Sequence, residues 1–154
     1  MAADGTTGVV VEIDLYDRSD NTVGALTVIP AKDIETVDFS LPENKTVRVD
    51  GLAEVFEYMI ANGKKKMPDC SINIRTDVNP AGGVADGSAS KILSYPEEHR
   101  APTRTLKITL ATGLSVAWEV LTRSMKPELP KDGVIMSTHV LYHAGSDAPA
   151  ITGF

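Results

Sequence analysis

Between Arg104 and Tyr142 the chain holds two runs that alternate apolar and polar residues with a period of two, the pattern of a half-buried strand. Leu106, Ile108 and Leu110 alternate with Thr105, Lys107 and Thr109. Thr112-Gly113 supplies a turn signal, and Val116, Trp118 and Val120 then alternate again around Glu119. A third run, from Gly133 to Tyr142, is rich in the β-branched and aromatic residues that strands favour. The stretch therefore predicts a hairpin, a Pro-containing crossover over 126–131, and a long closing strand that ends at Gly145.

The rest of the chain extends this β pattern. Residues 9–16 read as a first strand, with Val9, Val11, Ile13 and Leu15 on one face and Val10, Glu12, Asp14 and Tyr16 on the other. A turn cluster, DRSDN, leads into a return strand over 22–29 that Pro30 ends. Two short strand-like pieces, IETVDFS and KTVRV, flank Leu41-Pro42-Glu43-Asn44, as in a hairpin at a sheet edge. Leu52, Val55, Phe56, Met59 and Ile60 have the spacing of one helix face, which predicts a helix over 51–61 capped by Asp50 and stopped at Asn62-Gly63. Lys64, Lys65 and Lys66 follow, where a helix dipole would favour them. They read either as a solvated end or as an intersubunit contact with acidic partners. Residues 70–76 form another strand, 77–87 is rich in Gly and Pro, and Asp86 or Ser88 is placed to cap a short helix over 89–94. The expected fold is mainly β: a β-sandwich or barrel of about eight strands with one or two short α-helices packed on it. It forms a single domain over 9–145, between a flexible arm at 1–8 and a tail at 146–154.

With 154 residues the chain can bury a core of its own. Its formal net charge of −6 argues against a basic stripe for binding nucleic acid. Cys70 is the only cysteine, which excludes an intrachain disulfide and a thiolate zinc site. MAADGTTG lacks the basic and apolar regions of a secretory signal. No apolar run nears the roughly 18–20 residues that cross a bilayer, so no membrane insertion is expected. No phosphate loop, nucleophile elbow or dinucleotide fingerprint occurs, so neither an enzyme nor a cofactor is expected. His139 and His143 have a chelating spacing for a helix, but a strand separates them by roughly 13 Å. They read as polar residues on the wetter face of the last strand. Cys70, beside Asp69, lacks an electropositive setting and reads as structural. Trp118 suits a core or a subunit interface better than a stacking platform for bases.

The order of features in the last third resembles the C-terminal half of the major tail tube proteins of long-tailed, non-contractile (siphovirus-like) bacteriophages. Ile108, Leu110, Gly113, Trp118, Asp132, Gly133, Val134, Val140, Leu141 and Gly145 carry the resemblance. It implies a structural subunit that closes into hexameric rings through its sheet edges and stacks into a hollow, acid-lined conduit for the genome. The implied partners are further copies of the chain, the tape measure, tail tip and tail terminator proteins, and double-stranded DNA that passes without specific binding. The implied location is the tail of a virion assembled in the host cytoplasm. On this resemblance Glu12, Asp14 and Glu119 are the lumen candidates. Glu35, Asp38, Glu43, Asn44, Lys45 and Arg48, in the 31–50 segment, are candidates for ring-to-ring contact, as are the arms 1–8 and 146–154. Tube proteins of contractile tails and of type VI secretion share the architecture by analogy, and a small-ligand-binding β-barrel remains an alternative of another class.

Overall fold

A computed structural model of the chain describes residues 9–17, 19–49, 58–76, 87–93, 102–111, 113–128, 135–145 and 147–153. Its strands are β1 (Val10–Asp17), β2 (Thr22–Val28), β3 (Ile34–Asp38), β4 (Glu43–Val49), β5 (Tyr58–Lys66), β6 (Cys70–Arg75), β7 (Arg104–Ala111), β8 (Leu114–Glu128), β9 (Met136–His143) and β10 (Ala150–Thr152). A 3-10 turn covers Ala31–Asp33 and one helix, α1, covers Ala89–Ile92. The main sheet runs β2-β1-β7-β8-β9-β6-β3, with β10 on β8, while β4 and β5 pair as a separate ribbon. Among the described residues the fold is thus mainly β with one short helix, as the alternation predicts.

β8 organises the sheet. Its first half pairs with β7, from Arg104 opposite Val120 to Ala111 opposite Leu114. Its second half pairs with β9, from Val120 opposite His143 to Glu128 opposite Met136. Beside the first half, β10 continues the line of β9: the Ala144 amide donates to Glu119 O, and Ala150 then sits opposite Ala117. Gly145, at φ 83°, makes the break between the two in a conformation that side chains disfavour.

One apolar cluster lies inside. Val11 and Ile13 from β1, Leu106 and Ile108 from β7, and Val116, Trp118 and Val120 from β8 meet Cys70, Ile72 and Ile74 from β6 and Leu141 from β9. Ile92 and Leu93 close it from α1 and the residue that follows. Phe39, just past β3, stacks on Trp118 with ring centroids 6.4 Å apart, so the far end of the strand order folds back over β8. Burial of this kind, at about 25 cal/mol per Å² of apolar surface, is the main favourable contribution to such a fold.

Several expectations need correction. Leu15 is 42% exposed and Tyr16 is buried, the reverse of strict alternation. The β1–β2 register shifts at the same place: Leu26 to Val23 on β2 spans only Asp14 to Tyr16 on β1, so β2 carries one extra residue where the β1 side chains change face. The Tyr16 hydroxyl then donates to Asn21 Oδ1 at 2.6 Å. The expected crossover at 126–131 begins instead as strand, because β8 runs on to Glu128 with Pro127 opposite Ser137. Among the described residues β8 is flanked there by β9 alone, an edge setting in which a strand proline is tolerated. The closing strand is correspondingly short, Met136–His143, and Asp132, Gly133 and Val134 lie outside the described residues.

The helix expected over 51–61 is not helical where it is described. Tyr58, Met59, Ile60 and Ala61 lie in β5 opposite Val49, Arg48, Val47 and Thr46. The available partner strand overrides a stripe of three turns; Asp50, Leu52, Val55 and Phe56 lie outside the described residues. His139 is buried on the core side of β9, not on a wet face. The short helix expected over 89–94 forms as α1, and Ser88 is its cap, accepting from the Lys91 amide at 3.4 Å. Its N-terminus also donates from Ala89 to the buried Asp33 Oδ2 at 3.2 Å, which ties α1 to the 3-10 turn. Asp86, the arm 1–8 and most of the 77–87 segment lie outside the described residues.

Candidate assembly surfaces

The outer face of β2-β1-β7-β8 gathers all three lumen candidates. Glu12 sits opposite Lys107 on β7, which sits opposite Ala117 on β8. In the next row Glu119 lies opposite Thr105, whose amide donates to Asp14 Oδ2 at 2.9 Å and whose hydroxyl donates to Glu119 Oε1 at 2.6 Å. Thr105 thus fixes two carboxylates against the sheet. The two rows carry three acids and one lysine, an acidic face built on the polar half of the alternation.

The same rows run out to an apolar edge. Val28 lies opposite Glu12 and Leu26 opposite Asp14, both on β2, and they are 54% and 38% exposed. Among the described residues β2 has a partner on one side only. An apolar edge strand with free amides and carbonyls is a template for pairing with another chain. Beside it opens a cleft of about 770 Å³, lined by Leu15, Tyr16 and Gly24 from the hairpin and by Lys91 and Ile92 from α1. β3 is the opposite edge, and it presents Glu35 and Asp38 as exposed residues.

The remaining candidates come together on the β4–β5 ribbon. Glu43 is opposite Lys66 and Asn44 opposite Lys65, so the later part of the expected ring-to-ring segment shares a ribbon with the lysine run, while Glu35 and Asp38 stay on β3 in the main sheet. Glu43, Asn44, Lys45, Lys65 and Lys66 are exposed, and Arg48 and Lys64 lie within the two strands. The lysines therefore sit on a strand that faces an acid, rather than beyond a helix end, and opposite charges across a ribbon favour its register.

Beneath the acidic face lies a buried charge that the alternation implies but that polarity argues against. Arg104 shares the inward face of β7 with Leu106 and Ile108. Its Nη1 donates to Ile92 O at 3.3 Å and its Nη2 to Thr122 Oγ1 at 3.0 Å, and its guanidinium lies 5.9 Å from the Tyr16 ring centroid. Burial lowers its pKa to about 10, while Tyr16 and Asp14 favour the charge. His139 is lowered to about 4, by burial and then by Arg104. Its Nε2 lies 3.3 Å from Ser137 Oγ, and its Nδ1 is buried without a partner. His143 instead reaches Asp147 O at 3.0 Å, and among the described residues no cluster of His, Cys, Asp or Glu is fit to hold a metal. Burial raises the Cys70 thiol to about 12, with a further push from Asp38, so it is no nucleophile.

No protein-family model and no curated protein matches the sequence. Solved structures do match the fold. The chain is similar to one from the tail of an empty gene transfer agent (GTA) particle refined with helical and C6 symmetry, at 13% identity and a TM-score of 0.63, covering 99% of this chain and 100% of that one. It is similar to a chain from the virion of a native gene transfer agent particle, at 15% identity and a TM-score of 0.62, with 99% and 100% covered. A chain from the six-fold symmetrised baseplate of the anti-feeding prophage (AFP) matches at 12% identity and a TM-score of 0.58, covering 99% and 96%. The fold is therefore one found in phage-like tail particles.

Proposed function

We propose that this chain is a structural subunit of a phage-like tail tube, whose copies join through sheet edges into hexameric rings that stack into a conduit for DNA. The observation that carries the reading is the match in fold, over essentially the whole chain, to a tail chain from a helical particle of C6 symmetry. The open apolar edge of β2 supports lateral joining, because head-to-tail contact between unlike edges closes a ring when the rotation closes. The acidic face of Glu12, Asp14 and Glu119 is assigned to the lumen, where repulsion of phosphates lets DNA slide; Lys–phosphate contacts would hold it by counterion release. The β4–β5 ribbon is assigned to ring-to-ring contact, with Lys64, Lys65 and Lys66 meeting acids of a neighbouring copy. Tape measure, tip and terminator proteins are the partners this role requires, and the virion tail is its location.

The test is negative-stain electron microscopy of the purified chain over a range of concentrations, with light scattering alongside. Rings or hollow tubes of uniform width are expected. A chain that stays monomeric throughout, and also when mixed with a tail-tip complex, would overturn the reading. Tubes that recruit a contractile sheath would move the subunit to a contractile tail or a type VI secretion-like system.

A further inference from the structure

We infer that β10 is an exchangeable strand, which leaves its own β8 on assembly and pairs with the β8 of a second copy. The inference rests on the proposed self-assembly. The occupant of the β8 edge is visible in the fold itself: Ala150, Ile151 and Thr152 lie opposite Ala117, Val116 and Ser115.

The fit is specific. Ser115 Oγ and Thr152 Oγ1 are 2.6 Å apart. Gly153, at φ 83°, lies so close to the β7–β8 turn that a Cβ there would collide with the Gly113 carbonyl. A segment so closely matched to one edge re-forms the same pairing on an identical edge of another copy.

The attachment is also weak. All three residues of β10 are exposed, so none is held by the core. Ile151 shares the face of the buried Val116 yet remains 41% exposed, an apolar side chain that its own chain leaves uncovered. Gly145, in the link from β9 to β10, has no side chain to hold it at its φ of 83°, so the chain can turn elsewhere there at little steric cost. Exchange of an identical element costs little, because each interaction broken within a chain re-forms between copies.

The test is the S115C/T152C chain. Directly opposed residues of an antiparallel pair stand at about the Cα separation that a disulfide needs. Cys70 is buried and does not compete. Oxidation after assembly is expected to give covalent multimers on a non-reducing gel. Oxidation before assembly is expected to give a linked monomer whose assembly threshold rises at least tenfold and returns with reductant. Independently, Gly153→Val blocks docking on either edge and is expected to raise the threshold similarly. Tubes that contain only internally linked chains, or a Gly153→Val chain that assembles at the wild-type concentration, would overturn the exchange and leave the tube intact. Failure of the unmodified chain to assemble under any condition would overturn both.

Discussion

Arg104 and His139 show how a polar side chain is kept inside a sheet of this kind. Arg104 meets neutral acceptors and an aromatic face, so its charge is solvated by Ile92 O, Thr122 and Tyr16 in place of water. Arg104→Met leaves those acceptors unpaired and is expected to cost about 2–3 kcal/mol in urea denaturation. It should also raise the His139 pKa, because Arg104 is one of the two causes that depress it. An imidazole titration followed by NMR checks this directly. The sign of the pH effect follows from the native pKa of about 4 against an ordinary 6.5. Between these values the unfolded chain takes a proton that the native state refuses. Stability therefore falls as pH drops from 6.5 towards 4, by about 3 kcal/mol in all. Urea titrations at pH 7 and pH 4 should show this loss in the wild type and its reduction in His139→Met. Parity along β7 and β9 groups Arg104 with Leu106 and His139 with Leu141, but polarity argues the other way and puts His139 on the wetter face. What the sequence lacked was the solvating group for each, since Ile92 and Thr122 approach Arg104 only through the tertiary fold.

Among the elements, the strands were legible wherever apolar and polar residues alternate against one buried face, as in β6, β7 and the first half of β8. The β1–β2 hairpin was legible as a hairpin but not in its final turn of register. Just past that shift Tyr16 reaches Asn21, which takes a positive φ of 52°. Asn21→Ala removes the hydrogen bond and keeps the strained backbone, so a loss of about 1–2 kcal/mol is expected, measured by thermal or urea unfolding. Asn21→Gly relieves the backbone and should lose less. The β4–β5 ribbon was misread because the apolar spacing over 52–60 satisfies a helix, while KTVRV, a few residues upstream, offers a competing partner. A short C-terminal strand such as β10 has too few residues to show any period; only its pairing with β8 reveals it.

For the molecule as a whole, the acidic face is the feature with an assembly-level readout. Glu12 and Glu119 come from strands more than a hundred residues apart in sequence, and β7 between them sets their spacing. Each was legible as a polar strand position, but their shared face follows from strand order, which local patterns do not encode. Asp14 holds a backbone amide of β7, whereas Glu119 holds only the Thr105 hydroxyl, so charge tests belong on Glu12 and Glu119. Tubes of the Glu12→Lys, Glu119→Lys chain are expected to retain double-stranded DNA at low salt and release it as salt rises, where wild-type tubes do not retain it. A salt-dependent co-sedimentation assay checks this.

β8 also has a mechanical meaning. Because its fifteen residues belong to both halves of the sheet, there is no seam along which the halves could part. A force that pulls them in opposite directions along β8 meets the β7 and β9 ladders in shear, so many hydrogen bonds must yield together rather than peel one by one. In a stacked tube such a subunit would act as a stiff stave, and bending would be taken up at the joints between copies.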